Sequence, residues 1–450
     1  MDQSKKLEGR LVASSSSCPF RNFIDQIGWI DLGFAGNPYT WCNNRKGPAT
    51  IKKRLDRSLA SPSWINLHPK FFILHLPAYS SDHNPITLDT AFPSPFLHRP
   101  FRFKAFWTKD PSCGLVIGSA WSSSNYVISL THSLVKKLKK TKFALKKWNS
   151  LYFGHIQTKI KSTMSHIDKV QQSPPDPSCL ALEAKLKLDL DDLLLKEEIL
   201  WKSKSRETWL ACKDLNTKYF HASTLIKRRS NAVNYLNISE GNWVSNRATI
   251  GDNFVSHFSN LFTSSSPPIE EEMLDLFTPI ITEEENLLLS SIPSEEEVFK
   301  ALSSLGSSKA PGPDGFTALF YKKFWSTVKE SVLACIGNFF KNDHLLQEQN
   351  HTFISLIPKQ SGGSHSVNQF RPISLCNIVY KLITKILADR LKSLLPKIIS
   401  PLQSAFMPNR NIQDNTILAH ELLHTFKEKR GKWGLMFLKM DMEKAFDKME

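Results

Sequence analysis

Long apolar runs are missing from this sequence. None reaches the roughly 20 residues that a bilayer-crossing helix needs, and the N-terminus carries Lys5, Lys6, Glu8 and Arg10 before a serine run in place of a signal-peptide core. The reading is a soluble, intracellular protein of nucleus or cytoplasm, not secreted, with no membrane partner. Cysteine is sparse as well: Cys18, Cys42, Cys113, Cys179, Cys212, Cys335 and Cys376 are odd in number, widely spaced and never in a CxxC pair. That pattern excludes a disulfide framework and a cysteine zinc site and fits a reducing compartment. Acidic residues are in deficit, 42 Asp plus Glu against 58 Lys plus Arg, a formal charge of +16. Such a balance points to nucleic acid or another polyanion as partner. Finally, Lys309-Ala310-Pro311-Gly312-Pro313-Asp314-Gly315 is a rigid turn-forming loop with no Gly-Lys-Ser/Thr after it, so it is not a phosphate-binding P-loop.

What is present suits an α+β multidomain chain. At 450 residues there is room for roughly three domains. From Phe20 to about residue 90, short apolar runs alternate with turn residues, as strands and tight loops do. Two clusters there carry chemistry: Arg54-Leu55-Asp56-Arg57 and Ser80-Ser81-Asp82-His83-Asn84-Pro85-Ile86. A His reached by two Asp suits a base for phosphodiester hydrolysis, since the second carboxylate fixes the tautomer and steadies the imidazolium. The bland alternative is that Asp82 and His83 cap a strand. With Asp31-Leu32-Gly33 and Tyr39-Thr40-Trp41 ahead of them, these clusters resemble the C-terminal part of the endonuclease/exonuclease/phosphatase family in its non-LTR retrotransposon version. The resemblance implies a partial α/β-sandwich over 1–90, with His83 as catalytic histidine, Asp56 orienting it and Asp82 at the metal and phosphate site. The family's upstream Glu ligand and Gly-Asp-Phe-Asn motif have no counterpart in this sequence. Gly251-Asp252-Asn253-Phe254 is only a scramble of the latter, and the block is expected not to cut DNA.

Residues 91–285 read as a helical, basic linker region. Leu145, Trp148, Tyr152 and Ile156 recur at helical spacing, and Leu186, Leu190, Leu193 and Leu200 follow a seam. The Ser173-Pro174-Pro175-Asp176-Pro177 break between them predicts an antiparallel helical hairpin. Lys136, Lys137, Lys139, Lys140, Lys142, Lys146 and Lys147 concentrate positive charge on the first helix. They suit phosphate contacts, or else a solvated face offset by the acidic helix opposite. Lys218, Lys227, Arg228 and Arg229, interleaved with Trp209, Tyr219 and Phe220, suit a nucleic-acid strand through stacking and backbone contact.

The last block, 286–450, places Phe353–Pro358 and Phe370–Leu375 as the two strands of a hairpin whose flanking Lys359 and Arg371 can grip a triphosphate. Leu435 to Met440 reads as a buried strand ending on Asp441, a metal ligand or merely a strand end. Pro311-Gly312-Pro313-Asp314-Gly315, Phe370-Arg371-Pro372-Ile373-Ser374-Leu375, Gln403-Ser404-Ala405-Phe406 with Asn409-Arg410, and Asp441 to Asp447 stand in the order and spacing of reverse transcriptases of LINE-type (non-LTR) retrotransposons. The resemblance implies fingers and the start of the palm of a right-hand polymerase. Asp441 would be a catalytic carboxylate holding Mg²⁺ or Mn²⁺, Lys359 and Arg371 would lie on the triphosphate, Arg410 near the template or nucleotide path, and Phe446 under the incoming sugar. Its partners would be an RNA template, a DNA target or primer and deoxynucleoside triphosphates. Ala405 and Asn409 stand where that family often has glycine. The family's second carboxylate motif, aromatic-x-Asp-Asp, is not in the sequence, so the chain as given is expected to be inactive. The alternative is nucleic-acid binding without catalysis. His420-Glu421-Leu422-Leu423-His424 matches the H-E-x-x-H of zinc proteases, a remote alternative that lacks a third ligand motif.

Overall fold

The computed structural model describes all residues except 1–5, 8–17, 38, 46–48, 77, 79–80, 91–99, 124–129, 173–176, 206–223, 228–230, 234, 240–241, 265–278, 360–365, 408, 429–435, 439 and 441–450. The chain is α+β, with long helices and small sheets. In the N-terminal block the turn residues cut the strands to a few residues each. They are β1 (Lys6–Leu7), β2 (Ile30–Asp31), β3 (Ala35–Gly36), β4 (Trp41–Cys42), β5 (Lys52–Lys53), β6 (Leu59–Ala60), β7 (Phe72–His75) and β8 (Ile86–Asp89). They pair in the orders β1-β5-β4, β2-β6 and β3-β7-β8, with β3 and β7 parallel. Helix α1 (Cys18–Ile27) precedes β2. Helix α2 (Pro62–Leu67) starts where the Ser61 hydroxyl accepts from the Trp64 amide and proline takes a first-turn position that needs no N–H. Leu32, Ala60, Ile65, Phe71 and Ile73 are the core of this block, and Leu225 and Ile226 pack onto it.

The middle is helical: α3 (Pro111–Ser122), α4 (Leu130–Trp148), α5 (Ile156–Gln171) and α6 (Pro177–Ser205). The expected hairpin is the α5–α6 pair, and Leu190, Leu193 and Leu200 of the leucine seam lie against the main core. The periodic set is interrupted at one place. Leu145, Trp148 and Ile156 are buried while Tyr152 is exposed, because a single π turn over Asn149–Phe153 widens the helix and rotates Tyr152 off the core line. Helix α4 packs on α3 rather than facing the acidic α6.

Beyond lie β9 (Leu236–Ser239), β10 (Asn242–Val244), α7 (Arg247–Phe262), α8 (Glu283–Ser290), α9 (Glu295–Ser304), α10 (Ala318–Lys323), α11 (Trp325–Asn342), α12 (Gln347–Asn350), β11 (Phe353–Pro358), β12 (Phe370–Leu375), α13 (Ile378–Ile398) and α14 (Ile412–Glu428). One apolar cluster joins Phe101, Phe103, Trp107, Leu134 and Trp148 to Phe316, Phe320, Val332 and Leu382, so a common core crosses residue 285. The run read as a buried strand before Asp441 differs. Met436, Phe437, Leu438 and Met440 are exposed and outside any strand. A strand holds its shape through a paired ladder, and no described strand pairs with this one.

Candidate nucleotide and nucleic-acid sites

Strands β11 and β12 pair antiparallel with Ile357 opposite Arg371 and Ser355 opposite Ile373. Side chains alternate along a strand, so Ile357, Lys359, Arg371 and Ile373 share one face and Leu356 and Phe370 the other. The second face is closed at the Phe370 end: Phe370 is buried with Leu236, Ile250, Phe254 and Phe258, and Leu356 packs beside it, while Ile354 and Ser374 at the other end are exposed. The first face is open, with both Lys359 and Arg371 exposed. The Lys359 amide donates to the Gln369 carbonyl at 2.8 Å, extending the ladder by one rung. The two cations thus stand diagonally across one solvent-facing side of the ribbon, Arg371 opposite Ile357 and Lys359 opposite Gln369.

The Pro311–Gly315 loop is clamped to the segments that enter and leave that ribbon. Asn377, just ahead of α13, accepts through Oδ1 from the Asp314 amide (3.1 Å) and donates through Nδ2 to the carbonyls of Glu348 and Gln349 (3.0 and 3.2 Å). The Asp314 carboxylate accepts from the Phe316 amide at 3.0 Å. Burial pushes its pKa up to about 6, against the pull of that amide and of Lys381. Gly315 has φ +82° and lies so close to Phe101 that a Cβ would meet the Phe101 carbonyl. The Gly315 carbonyl in turn accepts from the Phe103 amide at 2.9 Å. Asn377 is a residue that sequence reasoning missed. Its one signal is an Asn directly before a long amphipathic helix, which ordinarily reads as a simple cap.

In the Gln403–Arg410 loop, Asn409 has φ +61° and Phe406 has φ +63°. Asn tolerates the left-handed region that glycine favours, which accounts for Asn409 at that position. Arg410 spends its guanidinium locally, donating to the carbonyls of Ser400 and Gln403 (both 2.6 Å) and of Ile399 (3.4 Å). It ties the loop to the C-terminus of α13. His420, Glu421 and His424 are all exposed on α14. Among the described residues no group of three His, Cys, Asp or Glu could hold a metal ion, so the zinc reading gains nothing from the fold.

In the N-terminal block the structure brings the separated clusters together. His83 Nδ1 and Asp56 Oδ2 are 2.9 Å apart, and Asp82 Oδ2 accepts from the Trp41 indole at 2.8 Å. The Tyr39-Thr40-Trp41 stretch does the assembly. Buried Thr40 accepts through Oγ1 from the Leu55 and Asp56 amides (3.0 and 2.9 Å), while Trp41 bridges to His83. The hydrogen bond to Asp56 raises the pKa of His83. For Asp56, partial burial works against the charged form, but hydrogen bonds with His83 and Thr40 prevail and leave its pKa lowered. In the neutral ring, Nδ1 donating to Asp56 leaves Nε2 as the proton-accepting nitrogen. Beneath lies a stack that sequence reasoning also missed: Arg54 pairs with Asp31 at 2.8 Å and covers Phe34, which stacks on His75 at 4.1 Å.

Asp441, Phe446, Lys218, Arg228 and Arg229 lie outside the described residues. Lys227 is described, and its Nζ donates to the Ser205 carbonyl at 3.0 Å.

Residues 357–450 match the family described as reverse transcriptase (RNA-dependent DNA polymerase). The chain is also 32% identical over 249 residues to the Transposon TX1 uncharacterized 149 kDa protein of Xenopus laevis, covering 55% of this chain. Over residues 357–450 the chain is thus similar to reverse transcriptases. The reverse transcriptase match takes in Lys359, Arg371, Arg410 and Asp441, whereas the clamped Pro311–Gly315 loop precedes it. The chain spans 19% of the length of the curated Xenopus relative.

Proposed function

We propose that this chain supplies the fingers and the start of the palm of an RNA-directed DNA polymerase, with the β11–β12 ribbon as its triphosphate grip. The observation that carries the reading is the register that sets Lys359 and Arg371 on one open face of the hairpin while Phe370 and Leu356 on the opposite face are packed. Arg371 offers a planar fork to two phosphate oxygens, and Lys359 adds a point charge. Asp441 would hold Mg²⁺ or Mn²⁺, which supplies charge stabilisation at the transferring phosphate. In the same reading Phe446 packs under the sugar of the incoming deoxynucleotide, and the template is RNA. The N-terminal block descends from an endonuclease/exonuclease/phosphatase-type domain, a reading supported by the His83–Asp56 contact.

The test is nucleotide binding by the full chain. Lys359→Ala and Arg371→Ala are each expected to weaken dTTP binding by about tenfold, the scale of one charge-assisted contact. Arg371→Lys restores little, because an ammonium cannot bind two oxygens in parallel. Unchanged affinity in both alanine variants would remove the grip. Binding of nucleic acid without catalysis is the second reading, favoured by the basic outer face of α4. Primer extension by the 450-residue chain, abolished by Asp441→Asn, would rule it out.

A further inference from the structure

We infer that the outer face of α4, with the π turn that follows it, is a docking surface for unpaired RNA; this rests on the polymerase reading above. Leu134, Leu138, Thr141, Leu145 and Trp148 are buried, and at about 100° per residue they define one side of the helix. Opposite them fall Lys136, Lys139, Lys140, Phe143, Lys146 and Lys147, all exposed. The two lysines on the flanks are used internally. Lys137 donates to the Ser331 hydroxyl at 3.0 Å and lies over Trp121, and Lys142 lies over Phe101. Lys140, though exposed, donates to the Ser123 carbonyl at 3.2 Å, so the helix sorts its cations, some held by the fold and others, Lys139, Lys146 and Lys147 among them, exposed to solvent.

Two features separate this face from an ordinary solvated one. Solvated helices mix charge signs at i,i+4 spacing, but residues 130–153 contain no Asp or Glu. Among the described residues, moreover, Lys139, Lys146 and Lys147 have no acidic partner. Second, large apolar side chains sit among the cations: Phe143 is 67% exposed, Leu151 70% and Tyr152 66%. The π turn is what brings Tyr152 outward, and Lys159 donates to its carbonyl. Cations that track phosphates, interleaved with rings on which bases stack, make a single-strand platform. Lys139 and Lys147 are about 12 Å apart along the axis, enough to follow a strand past Phe143. Stacking needs unpaired bases, whereas duplex RNA is read through its backbone and 2′-hydroxyls.

The experiment measures fluorescence anisotropy of labelled oligoadenosine with the full chain, without metal or nucleotide. Replacing Lys139, Lys146 and Lys147 together by Ala is expected to weaken binding and flatten the slope of log affinity against log salt by about 2, three single-strand phosphate contacts at 0.7 each. Phe143→Ala is expected to cost about tenfold while leaving the slope in place and to leave duplex RNA binding unchanged. All four positions are exposed, so thermal midpoints should hold. Unchanged affinity in both variants overturns the proposal, and so does an equal Phe143→Ala loss on duplex RNA. Tighter, equally sensitive binding of oligodeoxyadenosine overturns it in favour of single-stranded DNA. Because dTTP binding is read at Lys359 and Arg371, the triphosphate grip can fail while this surface stands, and the reverse.

Discussion

His83 and Asp56 each hold the other in its charged form, and the pH dependence of their contact follows from the direction of each shift. The pKa of His83 is raised, so its share of the contact is fully present below the ordinary imidazole value and is lost as pH rises through the raised one. The pKa of Asp56 is lowered, so its share is present above the ordinary carboxylate value and is lost as pH falls through the depressed one. The pair is intact between those limits. An NMR titration of the His83 ring should therefore show a midpoint above about 6.5, moving down in Asp56→Asn. His75 offers an internal contrast, since burial lowers its pKa. A His83 midpoint insensitive to Asp56→Asn would mean that the 2.9 Å contact does not persist in solution. The pairing was legible in the sequence only as two short clusters 27 positions apart. What closes that distance is Thr40, an ordinary-looking hydroxyl whose role depends on two backbone amides that no periodicity reveals.

Among the connecting elements, the Pro311–Gly315 loop shows how much turn chemistry decides. Gly315→Ala must place a side chain at φ +82° and against the Phe101 carbonyl, and the expected loss is on the order of 2 kcal/mol or more. Gly118→Ala is the matched contrast, because nothing lies within 4 Å of a Cβ there and φ is ordinary. Inside α3 that change should gain about 0.5–1 kcal/mol. Urea midpoints of the two variants should move in opposite directions, and parallel shifts would refute the clamp. The loop itself was plain in the sequence from its prolines and glycines. Its partner segment was not, since Phe101 and Phe103 lie more than two hundred residues upstream and the contact is between backbones. The β11–β12 hairpin was legible strand for strand because its apolar runs and polar tip fix both ends. Which face stays open was not, because that depends on α7 and β9 packing beneath Phe370. The run before Asp441 was misread as buried for the opposite reason: apolar character alone cannot supply a ladder partner.

At the scale of the whole molecule, the main core does not respect the divisions that composition suggests. Leu134 and Trp148 of α4 share one buried cluster with Phe316, Phe320 and Tyr321, and across it the rings of Phe101 and Phe103 meet those of Phe316 and Phe320. Arg390 ties the start of α9 to α13 through Glu297, at 2.7 and 2.8 Å, so the helices around the Pro311–Gly315 loop form a single packed unit. A chain beginning at residue 286 would strip the apolar cover from Phe316, Phe320 and Val328, each of which is at most 1% exposed in the intact protein. Exposed apolar surface on that scale drives association rather than folding. Residues 286–450 alone should therefore bind a hydrophobic dye and show no cooperative thermal transition. A chain beginning at residue 100 should retain one cooperative transition, seen alike by tryptophan fluorescence and by circular dichroism. If 286–450 instead melts cooperatively and stays monomeric, the aromatic segment at 101–107 and helices α3 and α4 are an accessory layer rather than part of the folding unit.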